Sequence, residues 1–266
     1  MPELPEVETI KTALNRALIG NSIKDVKINR KKIRLPIPDD FYLLAKSQEI
    51  LTVERLAKYI VISLKNGEKI VIHLGMSGKI IISNNYEAKK HDHVVFELSN
   101  GTFITYNDAR RFGFVSLMKC LDLSKLGIDA LSDEFNAKYL KEKIKTKNQS
   151  IKKTLLDQEV VAGLGNIYVI ESLFLSKINP LKSAKDLSSK EIEFLITNIK
   201  QVLKKAIKAG GTTLKDYRKA DGSLGYFQNE LFIYGKEGEK CPVCETIIKR
   251  VIEGGRSTFY CTKCQK

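Results

Sequence analysis

Two residues at the start of the chain have the chemistry of a covalent catalyst. Pro2 follows Met1, and proline is small enough for the usual removal of an initiator methionine, which would leave Pro2 as a free secondary amine. An α-amino group titrates near about 8, so roughly a tenth to a fifth of such amines is unprotonated at pH 7. The amine can attack a carbonyl or sugar carbon to form an iminium, with Glu3 as its acid–base partner. Taken alone, the stretch favours a simpler interpretation, an arm that Pro2 and Pro5 stiffen ahead of a helix.

Four of the five cysteines have the spacing of a metal site. They form two Cys-x2-Cys pairs with sixteen residues between them: Cys241 and Cys244, then Cys261 and Cys264. This spacing is typical of a structural zinc site, in which four thiolates leave no open position. The terminal segment from Leu231 is too short to bury a core unaided, so we expect the metal to supply folding energy. The remaining cysteine, Cys120, is expected to be an ordinary buried thiol.

The charge of the chain indicates a polyanionic partner. Of 266 residues, 45 are basic and 31 acidic, a net charge of +14, while 43% are hydrophobic. This balance favours nucleic acid first and an anionic membrane second. No apolar run approaches the roughly 18 residues of a membrane span, and the N-terminus lacks a basic region followed by an apolar one. We expect a soluble intracellular protein with two domains and a small appendage.

The first half of the chain is predicted to be a β-sandwich or barrel with a helix at its start. Apolar residues recur at three- and four-residue steps from Glu6 to Leu18, which predicts an amphipathic helix that stops at Gly20. Short alternating runs then predict strands at 50–53, 59–64, 69–74, 79–83, 93–98 and 102–106. Asn66-Gly67 and Asn100-Gly101 predict tight hairpin turns between neighbouring strands.

The second half is predicted to be helical, with helices at 131–147, 151–157, 166–175 and 189–209. Six lysines against one glutamate lie between Lys141 and Lys153; such a run is usually a solvated face. Here it precedes Gly163-Leu164-Gly165-Asn166, where glycines allow close backbone approach and Asn166 can cap the next helix. Two helices joined by this turn favour a clamp on a DNA backbone. The polar segment from Thr212 to Gly225 is predicted to be a mobile loop.

A series of motifs, in unbroken order over nearly the whole chain, resembles the bacterial formamidopyrimidine-DNA glycosylases. The motifs are MPELPEVET, HLGMSG, KHDHV, DARRFG, GLGNIY, GGTTLKDY, ELFIYG, CPVC and TFYCTKCQK. The resemblance implies an α+β fold of three domains. These are an N-terminal catalytic β-sandwich domain with an N-terminal helix over 1–125, a helix-two-turn-helix domain with a base-binding loop over 126–230, and a C-terminal zinc-finger β-hairpin over 231–266. It also implies one structural Zn²⁺.

The resemblance further implies a bifunctional DNA glycosylase and AP lyase of base excision repair. Such an enzyme excises oxidised purines, 8-oxoguanine and formamidopyrimidines, from duplex DNA through a Schiff base on Pro2, and cuts the strand by β,δ-elimination. Glu3 matches the proton donor, and Lys58 matches the lysine assigned to proton transfer in the first elimination and to phosphate contact. Arg256, expected at the tip of the hairpin between the cysteine pairs, matches the finger arginine linked to the second elimination.

Further residues match positions that contact DNA in that family. Those that hold the DNA backbone are matched by His91, Lys147, Lys152, Asn166 and Tyr234. The wedge that fills the gap left by a flipped nucleotide is matched by Met76, Arg110 and Phe112, with Arg110 facing the orphaned cytosine. The loop over the flipped base is matched by residues 212–226, including Thr212, Thr213 and Tyr226.

Further expectations concern the surroundings of the site. His73 and His93 alternate with apolar neighbours and are expected to be structural. Before Lys58 the chain has Leu56-Ala57, where relatives often carry a basic residue and glycine. We expect a monomer that acts on damaged double-stranded DNA in the bacterial cytoplasm, associated with the nucleoid and without a membrane partner.

Three other interpretations compete with this one. An endonuclease VIII-like glycosylase for oxidised pyrimidines shares the Pro-Glu start, but Leu4 and the full HLGMSG and DARRFG motifs favour the purine branch. A non-catalytic zinc-finger protein that binds nucleic acid leaves Pro2, Glu3 and Lys58 unexplained. A tautomerase-like enzyme with Pro2 as a base is disfavoured by the basic charge and the zinc motif. In the glycosylase interpretation, the nucleophile exists only once Met1 has been removed.

Overall fold

A computed structural model describes residues 2–212 and 225–266 of the chain. The chain divides into two compact units. The first contains Met1–Leu123 and Ala209–Gln228, and the second contains Ser124–Lys208 and Asn229–Lys266. Within the described ranges, no helix combines the length and the apolar composition that crossing a bilayer requires.

The first unit is built around two antiparallel four-stranded sheets. Its strands are β1 Ile23–Ile28, β2 Ile50–Leu56, β3 Tyr59–Leu64, β4 Lys69–His73, β5 Lys79–Ser83, β6 Asp92–Leu98, β7 Phe103–Asn107 and β8 Phe114–Leu117. One sheet has the order β1-β6-β7-β5 and the other has the order β2-β3-β4-β8. The predicted β-sandwich is confirmed, and both predicted hairpins join neighbouring strands, β3 to β4 and β6 to β7.

The helix α1 (Leu4–Leu18) begins where the sequence predicts a helix start. Glu3 is its N-cap residue, and the carboxylate of Glu6 accepts the N–H of Glu3 at 2.8 Å, which completes a capping box. Its apolar stripe, Val7, Ile10, Leu14 and Leu18, is buried in the sandwich core. The helix packs against β2, so the strand that leads to Lys58 is held against the N-terminal helix.

The second unit is a helical bundle with a β-hairpin. Its helices are α3 Ala137–Ile144, α4 Ile151–Leu156, α5 Asn166–Leu175 and α6 Ser189–Lys208, and the short strands β9 (Ile128–Asp129) and β10 (Val161–Ala162) pair in parallel. The turn from α4 to α5 is fixed by Gln158, which accepts the N–H of Gly163 and donates to the carbonyl of Leu164. Gly163 has φ +98°, a conformation that side chains disfavour.

The terminal hairpin pairs β11 (Lys249–Glu253) with β12 (Arg256–Tyr260). Its apolar side packs on α5, where Ile170 and Phe174 form one cluster with Ile233, Ile248 and Phe259. The hairpin is therefore anchored to the same helix that follows the glycine turn.

Several sequence predictions need correction. The helix predicted at 131–147 spans only Ala137–Ile144, because Asn136 caps it by accepting the N–H of Tyr139. Asn166 does not cap α5, since Gly165 is the N-cap residue. Cys120 is exposed rather than buried, because it lies in a one-turn helix, Met118–Cys120, after β8. The strands β1 and β8 and the short helix α2 (Phe41–Ala45) were not predicted.

Candidate active site and nucleic-acid interface

The N-terminal arm is held by one buried carboxylate. Pro2 and Glu3 are both buried. Glu6, only 2% exposed, accepts the N–H of Glu3 through Oε2 and the N–H of Thr212 through Oε1, each at 2.8 Å. The arm that carries the expected nucleophile is therefore joined, by a single side chain, to the residue at which the expected base-binding loop begins.

Lys58 lies in the turn between β2 and β3 and is 9% exposed. The preceding residue, Ala57, has φ +54°, in the left-handed region where glycine is favoured. Arg55 fixes the turn, because its Nη1 donates to the carbonyl of Ala57 at 2.9 Å and its Nε donates to Glu8 on α1 at 2.7 Å. This places the Lys58 turn in a fixed relation to α1.

The carboxyl group of Glu8 is held ionised by this contact. Burial raises the pKa of Glu8, but hydrogen bonds from Lys11 and Arg55 outweigh burial, and the pKa lies below its ordinary value. The link between α1 and the Lys58 turn is thus charge-assisted at neutral pH.

The three expected wedge residues lie on two adjoining turns. Met76 is 36% exposed and Phe112 is 46% exposed, and the guanidinium of Arg110 lies 4.9 Å from the centroid of the Phe112 ring. Gly75 has φ +60°, and a Cβ on it would lie 2.4 Å from the backbone of Phe112. The two turns therefore touch through their backbones, and glycine at this position is required by the contact.

Asp108 makes hydrogen bonds to both turns. It is fully buried, and its Oδ1 accepts from Ser77 Oγ at 2.6 Å and from the N–H of Arg110 at 3.2 Å. Its Oδ2 accepts the N–H of Gly113 at 2.9 Å. One carboxylate thus fixes the register of the Met76 turn against the Arg110–Phe112 turn, a function that the sequence analysis did not assign to it.

The three histidines of the first unit differ in environment. His93 is buried, and its Nε2 contacts the carbonyl of Asp108 at 2.8 Å. His73 stacks on Phe114 at 5.5 Å and accepts the N–H of Gly75 at Nδ1. Burial, followed by the charges of Arg34 and Lys58, lowers the pKa of His73 to about 4. His73 is therefore neutral at pH 7 and has the structural contacts expected of it.

His91 has φ +74° and lines an open cavity of about 430 Å³. Three cationic side chains, Arg30, Lys90 and Arg111, line the same cavity. Among the residues of this cavity only His91 was predicted to contact DNA, although Lys90 belongs to the motif KHDHV and Arg111 to the motif DARRFG. These three cationic side chains make the cavity suited to binding a phosphate group.

In the second unit, two expected DNA-contacting residues make hydrogen bonds to the hairpin turn. Lys152 is fully buried, and its Nζ donates to Thr258 Oγ1 at 2.6 Å and to the carbonyl of Arg256 at 3.4 Å. The amide of Asn166 donates to the carbonyl of Ser257 at 2.9 Å. The side chain of Arg256 itself is exposed at the start of β12. A direct contact with the DNA backbone would require Lys152 to lie at the surface, and Lys152 is fully buried.

Glu171 fixes the segment before the zinc hairpin, which sequence analysis also missed. This side chain is 1% exposed, and it accepts the N–H groups of Phe232, Ile233 and Tyr234 at 2.8, 3.1 and 2.8 Å. The ring of the half-buried Tyr234 lies against Phe259 at 5.3 Å. An acidic residue inside the apolar helix α5 was the available signal, since buried carboxylates need partners.

The remaining residues that were expected to contact DNA are Lys147 and those of the loop over the flipped base. Lys147 is half-buried, with its Nζ 3.9 Å from Asp157. Thr212 is 4% exposed and Tyr226 is 59% exposed. Thr213 lies outside the described residues, as does the rest of the expected loop over 213–224.

The four cysteines of the terminal segment form one cluster. The Sγ atoms of Cys241, Cys244, Cys261 and Cys264 all lie within 4.8 Å of one another. The distances from Cys241 to Cys264 and from Cys244 to Cys261 are 3.9 and 3.4 Å. Four thiolates about 2.3 Å from a tetrahedral zinc ion are about 3.8 Å apart, so the cluster fits one Zn²⁺ and leaves no open coordination position.

Models of three protein families match successive parts of the chain. They are the formamidopyrimidine-DNA glycosylase N-terminal domain at residues 1–115, the formamidopyrimidine-DNA glycosylase H2TH domain at residues 126–218, and the zinc finger found in FPG and IleRS at residues 238–266.

Known proteins match the chain from end to end. The formamidopyrimidine-DNA glycosylase of Rickettsia bellii is 46% identical over 272 residues, with 100% of both chains covered. Wild-type Lactococcus lactis Fpg (MutM) in complex with DNA containing an oxidised pyrimidine superposes with a TM-score of 0.91 at 34% identity, and 100% of both chains is covered. The same protein in complex with DNA containing N7-benzyl-Fapy-dG gives a TM-score of 0.90 at 34% identity with the same coverage.

Proposed function

Because the chain belongs to the formamidopyrimidine-DNA glycosylase family of DNA-repair enzymes, we propose that it excises oxidised purines from duplex DNA through a Schiff base on Pro2. The observation that carries the proposal is the arrangement around α1. Glu6 joins the Pro2-Glu3 arm to Thr212, while Arg55 joins α1 to the turn of Lys58. An amine, a carboxylic acid and a lysine thus share one rigid support.

The proposed chemistry begins once Met1 is removed. The lone pair of the Pro2 nitrogen attacks C1′ of the flipped nucleotide, the glycosidic bond breaks, and the base leaves with its electron pair. The departing base and the ring oxygen each take up a proton as the ring opens, one from Glu3 and one that the Pro2 nitrogen loses, which gives the iminium. Lys58 then takes part in removing the C2′ proton, and the 3′ phosphate leaves. Arg256 assists the second elimination, in which the C4′ proton is removed and the 5′ phosphate leaves.

The other expected residues bind the nucleic acid in this proposal. His91, Lys147, Asn166 and Tyr234 contact phosphates, which set the register without encoding sequence and so suit a protein that scans for damage. Met76, Arg110 and Phe112 fill the gap left by the flipped nucleotide, and Arg110 faces the orphaned cytosine. Thr212, Thr213 and Tyr226 contribute to the loop that covers the flipped base.

Borohydride trapping tests the proposal directly. The processed protein, with loss of Met1 verified by intact mass, should form a covalent complex with a duplex that contains 8-oxoguanine opposite cytosine. The form that retains Met1 should give no complex, because its Pro2 nitrogen is an amide, and Pro2→Gly should reduce the yield. Glu3→Gln should lose trapping on 8-oxoguanine and keep it on a preformed abasic site, because no base must then be expelled. A complex of undiminished yield in the form that retains Met1 would exclude the Pro2 amine as the nucleophile.

An enzyme that prefers oxidised pyrimidines is the second candidate, since the Lactococcus lactis relative was solved with such DNA. Competition between duplexes with 8-oxoguanine and with an oxidised pyrimidine distinguishes the two. We expect faster cleavage of the purine lesion; faster cleavage of the pyrimidine would reverse the assignment.

We further propose that the enzyme acts as a monomer on damaged double-stranded DNA. The proposed location is the bacterial cytoplasm, in association with the nucleoid and without a membrane partner. The net charge of +14 supports binding to a polyanion. The proposed domains remain 1–125, 126–230 and 231–266. Sedimentation of the protein at micromolar concentration should give the mass of a single chain when it is alone, and the mass of one chain plus one duplex when one equivalent of lesion duplex is added.

A further inference from the structure

Lys152 is a buried cation whose contacts all lie within the second unit. It is on α4, directly after Ile151, and its side chain runs to the start of β12. The ammonium group contacts Thr258 Oγ1, itself fully buried, and the carbonyl of Arg256. Lysine is almost never buried completely unless its charge is satisfied, so the burial of Lys152 calls for a structural explanation.

The contacts converge on three successive residues of the hairpin. The Lys152 ammonium meets the carbonyl of Arg256 and the hydroxyl two residues later, and the amide of Asn166 meets the carbonyl of Ser257, which lies between them. Three successive residues, Arg256 to Thr258, are thereby fixed to α4 and to the start of α5. The side chain of Arg256 remains exposed, so the helices hold the backbone of Arg256 and leave its guanidinium available.

The charges around the ammonium explain how it is tolerated there. Burial lowers the pKa of Lys152, the carboxylate of Glu253 across the turn raises it, and the nearby Arg256 lowers it further. Lys152, Glu253 and Arg256 line one cavity of about 270 Å³ with Gln149 and Asp157. Lys152 and Arg256 therefore line the same cavity, beside the carboxylate of Glu253.

We propose that Lys152 is a positioning residue for Arg256: it fixes the backbone of the hairpin turn so that the guanidinium is placed for the second elimination. The inference rests on the function proposed above for Arg256. It differs from a direct contact between Lys152 and DNA, because a fully buried ammonium acts through the residue that it holds. A displacement of about 1 Å at a catalytic group can cost on the order of a hundredfold in rate.

The test uses the full-length, zinc-loaded protein on a duplex with a preformed abasic site. Lys152→Met keeps the length of the side chain and removes its charge. We expect borohydride trapping within about twofold of wild type, and a second elimination slowed at least about tenfold, so that the product of the first elimination accumulates. Lys204→Met, which removes an exposed lysine from α6, should leave the product ratio unchanged. Zinc content and the unfolding midpoint are measured for every variant.

A double-variant cycle separates positioning from other effects. Arg256→Gln alone tests the proposed function: if it leaves the second elimination unchanged, the assignment of Arg256 fails. With that assignment in place, Lys152→Met added to Arg256→Gln should slow the reaction no further, because the group it positions is gone. An equal additional slowing in the double variant, a wild-type product ratio in Lys152→Met, or loss of zinc from Lys152→Met would each overturn the inference.

Discussion

Replacement of Glu171 by glutamine tests whether one buried carboxylate holds the segment that leads into the zinc hairpin. Oε1 of Glu171 accepts the N–H groups of Ile233 and Tyr234, and Oε2 accepts that of Phe232. Glutamine has nearly the same shape but offers one oxygen and one NH₂ group. If the oxygen keeps its two partners, the NH₂ group is left facing the N–H of Phe232.

The size of the effect follows from these contacts. Leaving one buried donor unsatisfied costs about 1–3 kcal/mol, and hydrogen bonds to a charged acceptor are worth about 1 kcal/mol more than neutral ones. Burial raises the pKa of Glu171 and the three amide donors lower it, with a net rise, so part of the charge-assisted gain is lost to desolvation. We therefore expect a local destabilisation of about 2–3 kcal/mol.

Hydrogen exchange of the amides of Phe232, Ile233 and Tyr234 measures this local free energy. At about 1.4 kcal/mol per factor of ten, exchange in Glu171→Gln should accelerate roughly thirtyfold to a hundredfold. Glu191→Gln makes the same chemical change in a more exposed carboxylate that binds Lys182, and it should leave these three amides unaffected. DNA affinity should fall in Glu171→Gln but not in Glu191→Gln, because the hydrogen bond that holds the backbone of Tyr234 is weakened only in the first variant.

Exchange of the three amides within about twofold of the wild-type rate in Glu171→Gln would refute this reasoning. It would mean that the packing of Ile233 and Phe259 around the segment is sufficient, and that the carboxylate contributes nothing beyond offsetting its own burial.

Four further outcomes are expected. Ala57→Gly should raise the free energy of unfolding by about 0.5–1 kcal/mol, because relief of left-handed strain exceeds the entropy that glycine adds to the unfolded chain; a lowered thermal midpoint would contradict this. The folded-state pKa of Glu8 is lowered, so its stabilisation is present above the ordinary value of 4.5 and is lost as the pH falls through the folded pKa; Arg55→Met should make acid unfolding less steep. Chelation of zinc should abolish the second elimination, and added Zn²⁺ should restore it, as judged by the product ratio. In the zinc-loaded protein one thiol per chain, the exposed Cys120, should react with a thiol reagent, and Cys120→Ser should remove that signal.

The sequence predicts elements well where local patterning and tertiary packing agree. Alternation located β3 and β5 to the residue, and the stripe from Val7 to Leu18 located α1. Prediction from the sequence failed where tertiary packing determines the element. For example, the five-residue α2 is too short to show a helical period. The start of α3 is set by the Asn136 cap, with Phe135 buried just before it, rather than by the apolar pattern that extends further.

The candidate site divides in the same way. Spacing and motif indicated the cysteine cluster, the Pro2-Glu3 arm and the wedge turns. The partners of the supporting carboxylates were not predictable, because Glu6 and Glu171 accept backbone N–H groups 206 and about sixty residues away, to which no local spacing corresponds. Nor does sequence distinguish Lys152, which is buried, from the adjacent Lys153, which is exposed.

The carboxylate of Asp108 makes the Met76 turn and the Arg110–Phe112 turn one rigid body. In the proposed wedge, the two turns keep their conformation against a stable base pair, so the duplex must deform instead. Base pairs then differ in how readily they open against the same fixed shape, and a lesion that weakens its own stacking opens at the least cost. In the proposed function, a rigid wedge would thus distinguish damaged from undamaged base pairs by how easily they open, without any contact with the lesion itself.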